Sequence, residues 1–330
     1  MTQNSDETLL NIIGLNAEFH TPAGTILANK NVSLSLPRGQ TLGIVGESGS
    51  GKSVLCRSIL GLIPSPPGSI TGGEIWFDGQ DLLKLTEDQM EHIRGVEIAM
   101  ILQDPMTSLN PVWRIGDQIT EVLRVHGKIS ARESREIGIQ LLQRVAIASP
   151  EKRIDEYPHR LSGGMRQRVM IAMAIASRPK LLLADEPTTA LDVTIQDQIL
   201  KLMLDLQENV GMSIILVSHD MGVVAETSDM VVIMYAGQVM EQAATEAIFH
   251  RPQHPYTVGL LNSIPRMEVE TKRLLPIQGQ PPDLLKLPLG CPFSERCSVA
   301  TPDCPETPIV LREVLPGHLT ACLYPERAGR

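Results

Sequence analysis

Residues 42–53 read Leu-Gly-Ile-Val-Gly-Glu-Ser-Gly-Ser-Gly-Lys-Ser, and this stretch decides the fold. From Gly46 to Ser53 it fits the phosphate-loop pattern G-x-x-x-x-G-K-S, in the right setting. An apolar strand (Leu42–Val45) runs into the loop and a helical pattern (Ser53–Leu62) leaves it. Gly46, Gly49 and Gly51 let the backbone wrap so that the N–H groups of the loop, those of Glu47, Ser48 and Ser50 included, face phosphate. Lys52 is placed to reach the β- and γ-phosphates, and the Ser53 hydroxyl to ligate Mg²⁺. The stretch predicts a nucleoside triphosphate site on an α/β fold.

Working outward, other apolar runs predict further buried strands: Ile98–Leu102, Leu181–Ala184, Ile214–Val217 and Met230–Met234. Helical patterns lie between them at Ile115–His126, Ser130–Val145, Gly163–Ser177 and Thr194–Glu208. Near the start, Val32, Leu34 and Leu36 alternate with polar residues as a half-buried strand does. The Leu181 strand ends in Asp185-Glu186. Asp185 is the expected Mg²⁺ partner, and Glu186 sits one residue further on, where a carboxylate can orient and deprotonate an attacking water. Leu161-Ser162-Gly163-Gly164-Met165 opens a helix with a good N-cap, Ser162, and leaves its backbone N–H groups approachable by phosphate.

Together these motifs resemble an ABC-type ATPase over essentially the whole chain. The likeness rests on the loop Gly46–Ser53, Gln103 in LQDPMTSLNP, the signature Leu161–Met165, Leu181–Glu186, the D-loop Ala190-Leu191-Asp192, and His219 in Ser218-His219-Asp220. The resemblance implies a mixed central sheet, an antiparallel β subdomain, an α-helical subdomain at about 104–178, and two cassettes meeting head to tail. It also implies that Ser162, Gly163, Gly164 and Met165 face ATP held by the partner. By the same likeness Gln103 touches Mg²⁺ and the water, His219 clasps the γ-phosphate, and Asp192 couples the two sites. Phe19 is the expected aromatic on adenine, a core or surface Phe being the competing reading. The fifth signature position, commonly Gln, is Met165 here; the phosphate contacts come from Ser162 and backbone N–H groups, so the change predicts tuning and not loss.

The composition limits the rest. Net charge is −9, which argues against a general nucleic-acid binder. The longest apolar run, Val169–Ala176, has 8 residues, far short of the ~20 of a membrane span. The first residues carry no secretory pattern, so the chain is expected in the cytosol. Eleven of the 24 prolines and four of the five cysteines fall after residue 264. A boundary is therefore expected near Pro265, between a cassette (1–264) and a tail (265–330) too Pro-rich for long helices or central strands. The tail is also too short to build much of a core alone.

His254-Pro255-Tyr256 and the tail cysteines look like the ATP-binding subunits of oligopeptide/dipeptide-type ABC importers, a class that includes nickel importers. That likeness implies a paralogous ATPase subunit, two transmembrane permease subunits and an extracytoplasmic substrate-binding protein, with this chain peripheral on the cytoplasmic face of the bacterial inner membrane. The segment Asp104–Pro111 is then expected to meet the membrane subunits. Cys291, Cys297, Cys304 and Cys322 are spaced C-x₅-C-x₆-C-x₁₇-C, wider than the two-to-four-residue pairs of structural zinc sites. Disulfides conflict with the compartment. Four thiolates would complete a cubane cluster, and the resemblance implies a [4Fe–4S] cluster; zinc and plain reduced thiols stand as the alternatives. Cys56 reads as a small buried hydrophobe. Two other function classes stay open: a soluble ABC ATPase of DNA repair or translation, and an iron–sulfur redox regulator. The compact 58-residue interval between Gln103 and Ser162, and the absence of any basic patch or helix-turn-helix, count against them.

Overall fold

The computed structural model describes residues 7–103, 108–127, 129–188, 192–263 and 277–328. In chain order the elements begin β1 (Thr8–Thr21), β2 (Gly24–Pro37), β3 (Thr41–Val45), α1 (Lys52–Ile59), β4 (Gly68–Phe77), β5 (Gln80–Asp81), α2 (Glu87–Ile93) and β6 (Ile98–Ile101). Next come α3 (Ile115–Gly127), α4 (Ala131–Arg144), α5 (Pro150–Arg153), α6 (Gly163–Ile175), β7 (Leu181–Asp185), α7 (Val193–Val210) and β8 (Ser213–Ser218). The chain continues with α8 (Met221–Thr227), β9 (Met230–Tyr235), β10 (Gln238–Ala244), α9 (Thr245–His250), α10 (Pro255–Asn262), β11 (Arg312–Leu315) and β12 (His318–Thr320). The boundary expected at Pro265, D-loop residues Ala190 and Leu191, and residues 104–107 of the expected docking segment lie outside the described residues.

The chain forms two compact units, one from 1–37, 41–83 and 216–330, the other from 38–40 and 84–215. In the first, β2-β1-β4-β5 make an antiparallel sheet. A mixed sheet runs β11-β12-β10-β9-β3. There β3 pairs in parallel with β9, Leu42 opposite Met230 and Val45 opposite Ile233, and the remaining pairs are antiparallel. Every residue of β3 is buried, as a strand covered on both faces must be. Cys56 is fully buried on α1, as its apolar neighbours predict. The tail adds no long helix among its described residues. Its hairpin β11–β12 joins at the outer edge, beyond β10, and no separate core is seen among its described residues. Phe293 instead enters the cassette's own cluster with Tyr235, Met240 and Tyr256. This answers the shortage of apolar area that a Pro-rich segment faces alone.

The second unit carries β6 and β7 paired in parallel, Ile98 opposite Leu181 and Ile101 opposite Ala184. Its helices α2, α4 and α7 start on side-chain caps. Thr86 and Gln89 form a reciprocal capping box on α2. Ser130 accepts from Glu133 N–H, and Asp192 from Ile195 N–H at 3.0 Å. Gly211, at φ 74°, closes α7 in the left-handed region.

Candidate active site

The phosphate loop lies in the first unit, between β3 and α1. Two of its glycines are required by space. A Cβ on Gly46 would sit 2.1 Å from the Met234 carbonyl oxygen, and one on Gly51 (φ 98°) 2.3 Å from that of Ala28. The loop is braced from several sides. Asn29 Nδ2 donates to Gly51 O at 3.1 Å, Gly237 N–H to Ser50 O at 3.0 Å, and Glu47 N–H to Tyr256 Oη at 3.0 Å. Lys52 is buried, and its Nζ donates to the carbonyls of Gly46 (2.7 Å) and Glu47 (3.0 Å). The ammonium thus sits within the loop's own turn, where a polyphosphate can draw it by charge. Ser53 opens α1 in its first turn, beside Lys52.

In the same unit His219 is exposed just past β8, on a tight turn. Asp220 N–H donates to Ser218 Oγ at 2.9 Å, and Asp220 Oδ1 caps α8 by accepting from Gly222 N–H at 2.8 Å. Phe19 is half-buried near the end of β1, opposite Ile26 and Gly68. Its ring edge leaves no room for a Cβ on Gly68.

In the second unit the parallel pairing of β6 and β7 carries two site residues out at the same end. Gln103 Nε2 donates to Glu186 Oε2 at 2.8 Å. Glu186 adopts φ 49°, uncommon for a residue with a side chain, directly after the buried Asp185. Ser162 caps α6, its Oγ accepting from Met165 N–H at 3.4 Å, so Met165 serves the cap through its backbone. Gly164 lies against Ile195: a Cβ there would stand 3.0 Å from Ile195 Cγ2. The signature helix and the helix capped by Asp192 therefore pack start to start.

Sequence reasoning missed Asn29, and also Arg296, whose guanidinium pairs with the Glu47 carboxylate. Tyr256 carried a signal, the His-Pro-Tyr triplet, but only as a family mark. Also missed was the role of His318 and Glu241. The fully buried Glu241 carboxylate accepts from Gln253 N–H (2.6 Å), His254 N–H (3.1 Å), Thr257 Oγ1 (2.5 Å) and His318 Nε2 (2.6 Å). Without such donors a buried carboxylate would not be tolerated.

The four tail cysteines lie within electrostatic reach of one another. Burial pushes the Cys291 thiol up to about 12 and that of Cys322 up to about 11. Cys291 N–H donates to Cys304 O at 2.8 Å, and Thr301 N–H points at Cys304 Sγ, 3.4 Å away. Among the described residues no three His, Cys, Asp or Glu side chains gather to hold one metal ion. A tetrahedral zinc site would need its thiolates about 3.8 Å apart, given Zn–S of ~2.3 Å. By the chemistry of their donors, four thiols are the set that would hold a [4Fe–4S] cluster. No helix among the described residues is long and apolar enough to cross a membrane.

A strand-loop-helix phosphate site, a carboxylate held by an amide at the end of a parallel strand pair, and a capped Ser-Gly-Gly helix start define an ABC-type ATPase. The comparisons agree. The ABC transporter family pattern matches residues 29–189, and that of the oligopeptide/dipeptide transporter C-terminal region matches residues 240–304. The chain is 54% identical to the oligopeptide transport ATP-binding protein OppD of Bacillus subtilis, covering 88% of this chain and 82% of that one. It is 47% identical to OppD of Escherichia coli, over 98% and 96% of the two chains. With the dipeptide transport ATP-binding protein DppD of B. subtilis the identity is 48%, over 94% and 91%. The dimeric bacterial ABC transporter cassette MJ0796 superposes with a TM-score of 0.65 at 28% identity, over 72% of this chain and 99% of that one. The chain belongs to the ATP-binding subunits of oligopeptide/dipeptide ABC transporters.

Proposed function

We propose that this chain is the ATP-hydrolysing subunit that powers import of di- or oligopeptides, or a related small solute, across the inner membrane. The observation that carries the reading is the match of residues 240–304 to the C-terminal region of oligopeptide/dipeptide transporters, appended to a complete set of ATPase motifs. The chain divides into a cassette (1–264) and a Pro/Cys-rich tail. It works peripherally on the cytoplasmic face, paired with a paralogous ATPase and bound to two permease subunits that receive solute from an extracytoplasmic binding protein.

ATP enters with its phosphates in the Gly46–Ser53 loop, adenine on Phe19, and Lys52 turned from the loop carbonyls to the β- and γ-phosphates. The oxygen donors Ser53, Asp185 and Gln103 suit Mg²⁺, a hard cation, which when bound neutralises charge on the phosphate oxygens. Ser162, Gly163 and Gly164 of the partner-facing helix start close on the other subunit's γ-phosphate, with Met165 beside them and Asp192 coupling the sites. His219 holds the γ-phosphate, and Glu186, steadied by Gln103, takes the proton of the attacking water. ATP closure drives the membrane subunits outward-facing, and hydrolysis resets them.

Cys291, Cys297, Cys304 and Cys322 hold a [4Fe–4S] cluster in this reading. An all-thiol donor set, and an N–H aimed at one sulfur, support it. The cluster would pin the tail; the chain's other residues carry the hydrolysis.

The test is co-expression with the companion ATPase, permeases and binding protein, prepared anaerobically. The reading expects a stable assembly whose ATPase rises several-fold with peptide-loaded binding protein, and a brown chromophore that bleaches on reduction. An assembly without the permeases, co-purification with DNA or ribosomes, or a colourless zinc-loaded tail would overturn the corresponding part.

A further inference from the structure

Arg296, in the tail, grips the second residue of the phosphate loop. Its Nη1 donates to Glu47 Oε2 at 2.6 Å and its Nη2 to Glu47 Oε1 at 2.9 Å, the bidentate geometry that a guanidinium alone provides. The remaining donors are also engaged. Nη1 reaches Tyr235 Oη at 3.1 Å, Nε reaches Gln278 O at 3.0 Å, and Nη2 reaches Ile277 O at 3.5 Å. The side chain is only 7% exposed, and its guanidinium lies 5.7 Å from the Tyr235 ring centre and 5.9 Å from that of Phe293.

Glu47 is where this grip matters. Its carbonyl accepts from Lys52 Nζ and from Ser50 N–H, and its own N–H donates to Tyr256 Oη. The peptide that orients both the lysine and the turn is thus anchored through its side chain to a residue 249 positions away. The ion pair also neutralises a carboxylate that would otherwise repel a triphosphate at the loop. Arg296 directly precedes Cys297, in the short turn Ser294–Arg296.

We propose that Arg296 is a positioning residue for ATP: through Glu47 it fixes the phosphate loop and cancels its one negative side chain, making the cysteine-bearing tail part of the nucleotide site. The proposal rests on ATP binding at this loop and holds for the tail with or without a metal.

The experiment measures ATP binding with a fluorescent nucleotide, and steady-state ATPase, in the complete transporter carrying Arg296→Gln, Arg296→Lys, or Arg296→Gln with Glu47→Gln. For Arg296→Gln the expected result is about tenfold weaker ATP binding and an equally raised KM, with kcat within about twofold. Arg296→Lys, which keeps the charge and loses the fork, should fall between it and wild type. The double variant, free of the naked carboxylate, should recover most of the affinity. Unchanged KM in both single variants, a fall confined to kcat, or a double variant worse than Arg296→Gln alone would overturn the proposal. If Arg296→Gln fails to assemble, the lysine and double variants decide it by the same criteria. A transporter that binds no ATP even as wild type would instead refute the ATPase reading itself.

Discussion

Gln103 Nε2 donates to Glu186 Oε2 at 2.8 Å, across the ends of two parallel strands. One lobe of the carboxylate is thereby held, and its left-handed backbone at φ 49° persists where most side-chain-bearing residues would not adopt it. A carboxylate fixed in this way needs less reorganisation to take a proton from water than a free one. Gln103→Ala should therefore lower ATP turnover about 10- to 100-fold while nucleotide binding changes little, measured by phosphate release beside a binding titration.

Gly46 has no space for a methyl group, since a Cβ would meet the Met234 carbonyl at 2.1 Å. Carbonyl and loop are both backbone, so the strain cannot be relieved by a rotamer. Gly46→Ala should abolish measurable ATP binding and cost about 1–3 kcal/mol of stability, read from nucleotide titration and a melting curve.

Met165 lends α6 its N–H, not its side chain. Met165→Gln should leave ATPase activity within about twofold of wild type, whereas Ser162→Ala removes the cap and costs about 1 kcal/mol locally. Phosphate release from the pair of variants separates the two contributions.

His254 is fully buried, its Nδ1 accepting from Tyr256 N–H while Nε2 finds no partner among the described residues. Burial pushes the imidazole down to about 3, against 6.5 unfolded. The unfolded chain therefore gains a proton below 6.5 that the folded chain refuses, and this contribution to stability is lost as pH falls from 6.5 towards 3. Between pH 7.5 and 5.5 the wild type should lose about 1 kcal/mol more than His254→Asn, which keeps a cap acceptor and no titration. Urea denaturation at the two pH values measures the difference.

Sequence reading succeeded where one short stretch carries its own context. The strands β3, β6, β7, β8 and β9 were legible because strands buried on both faces read as unbroken apolar runs. By contrast, β1 was not read because bulges interrupt its alternation between Ile12 and Ala17. β10 was hidden by Glu241 and Gln242, which look like surface residues yet are buried, the former among four donors, one of them from the tail. The loop, the signature and the Asp-Glu strand end were local patterns and so were visible. The grip of Arg296 on Glu47 leaves no local pattern at all, since its partners meet only after the chain has folded.

Glu186 is proposed as the base that acts on ATP bound to this chain. The direct measurement is single-turnover hydrolysis by Glu186→Gln in a transporter whose partner subunit carries an inactivated site. ATP binding should stay close to wild type, with turnover reduced at least 100-fold. Turnover within a few-fold of wild type would contradict this role.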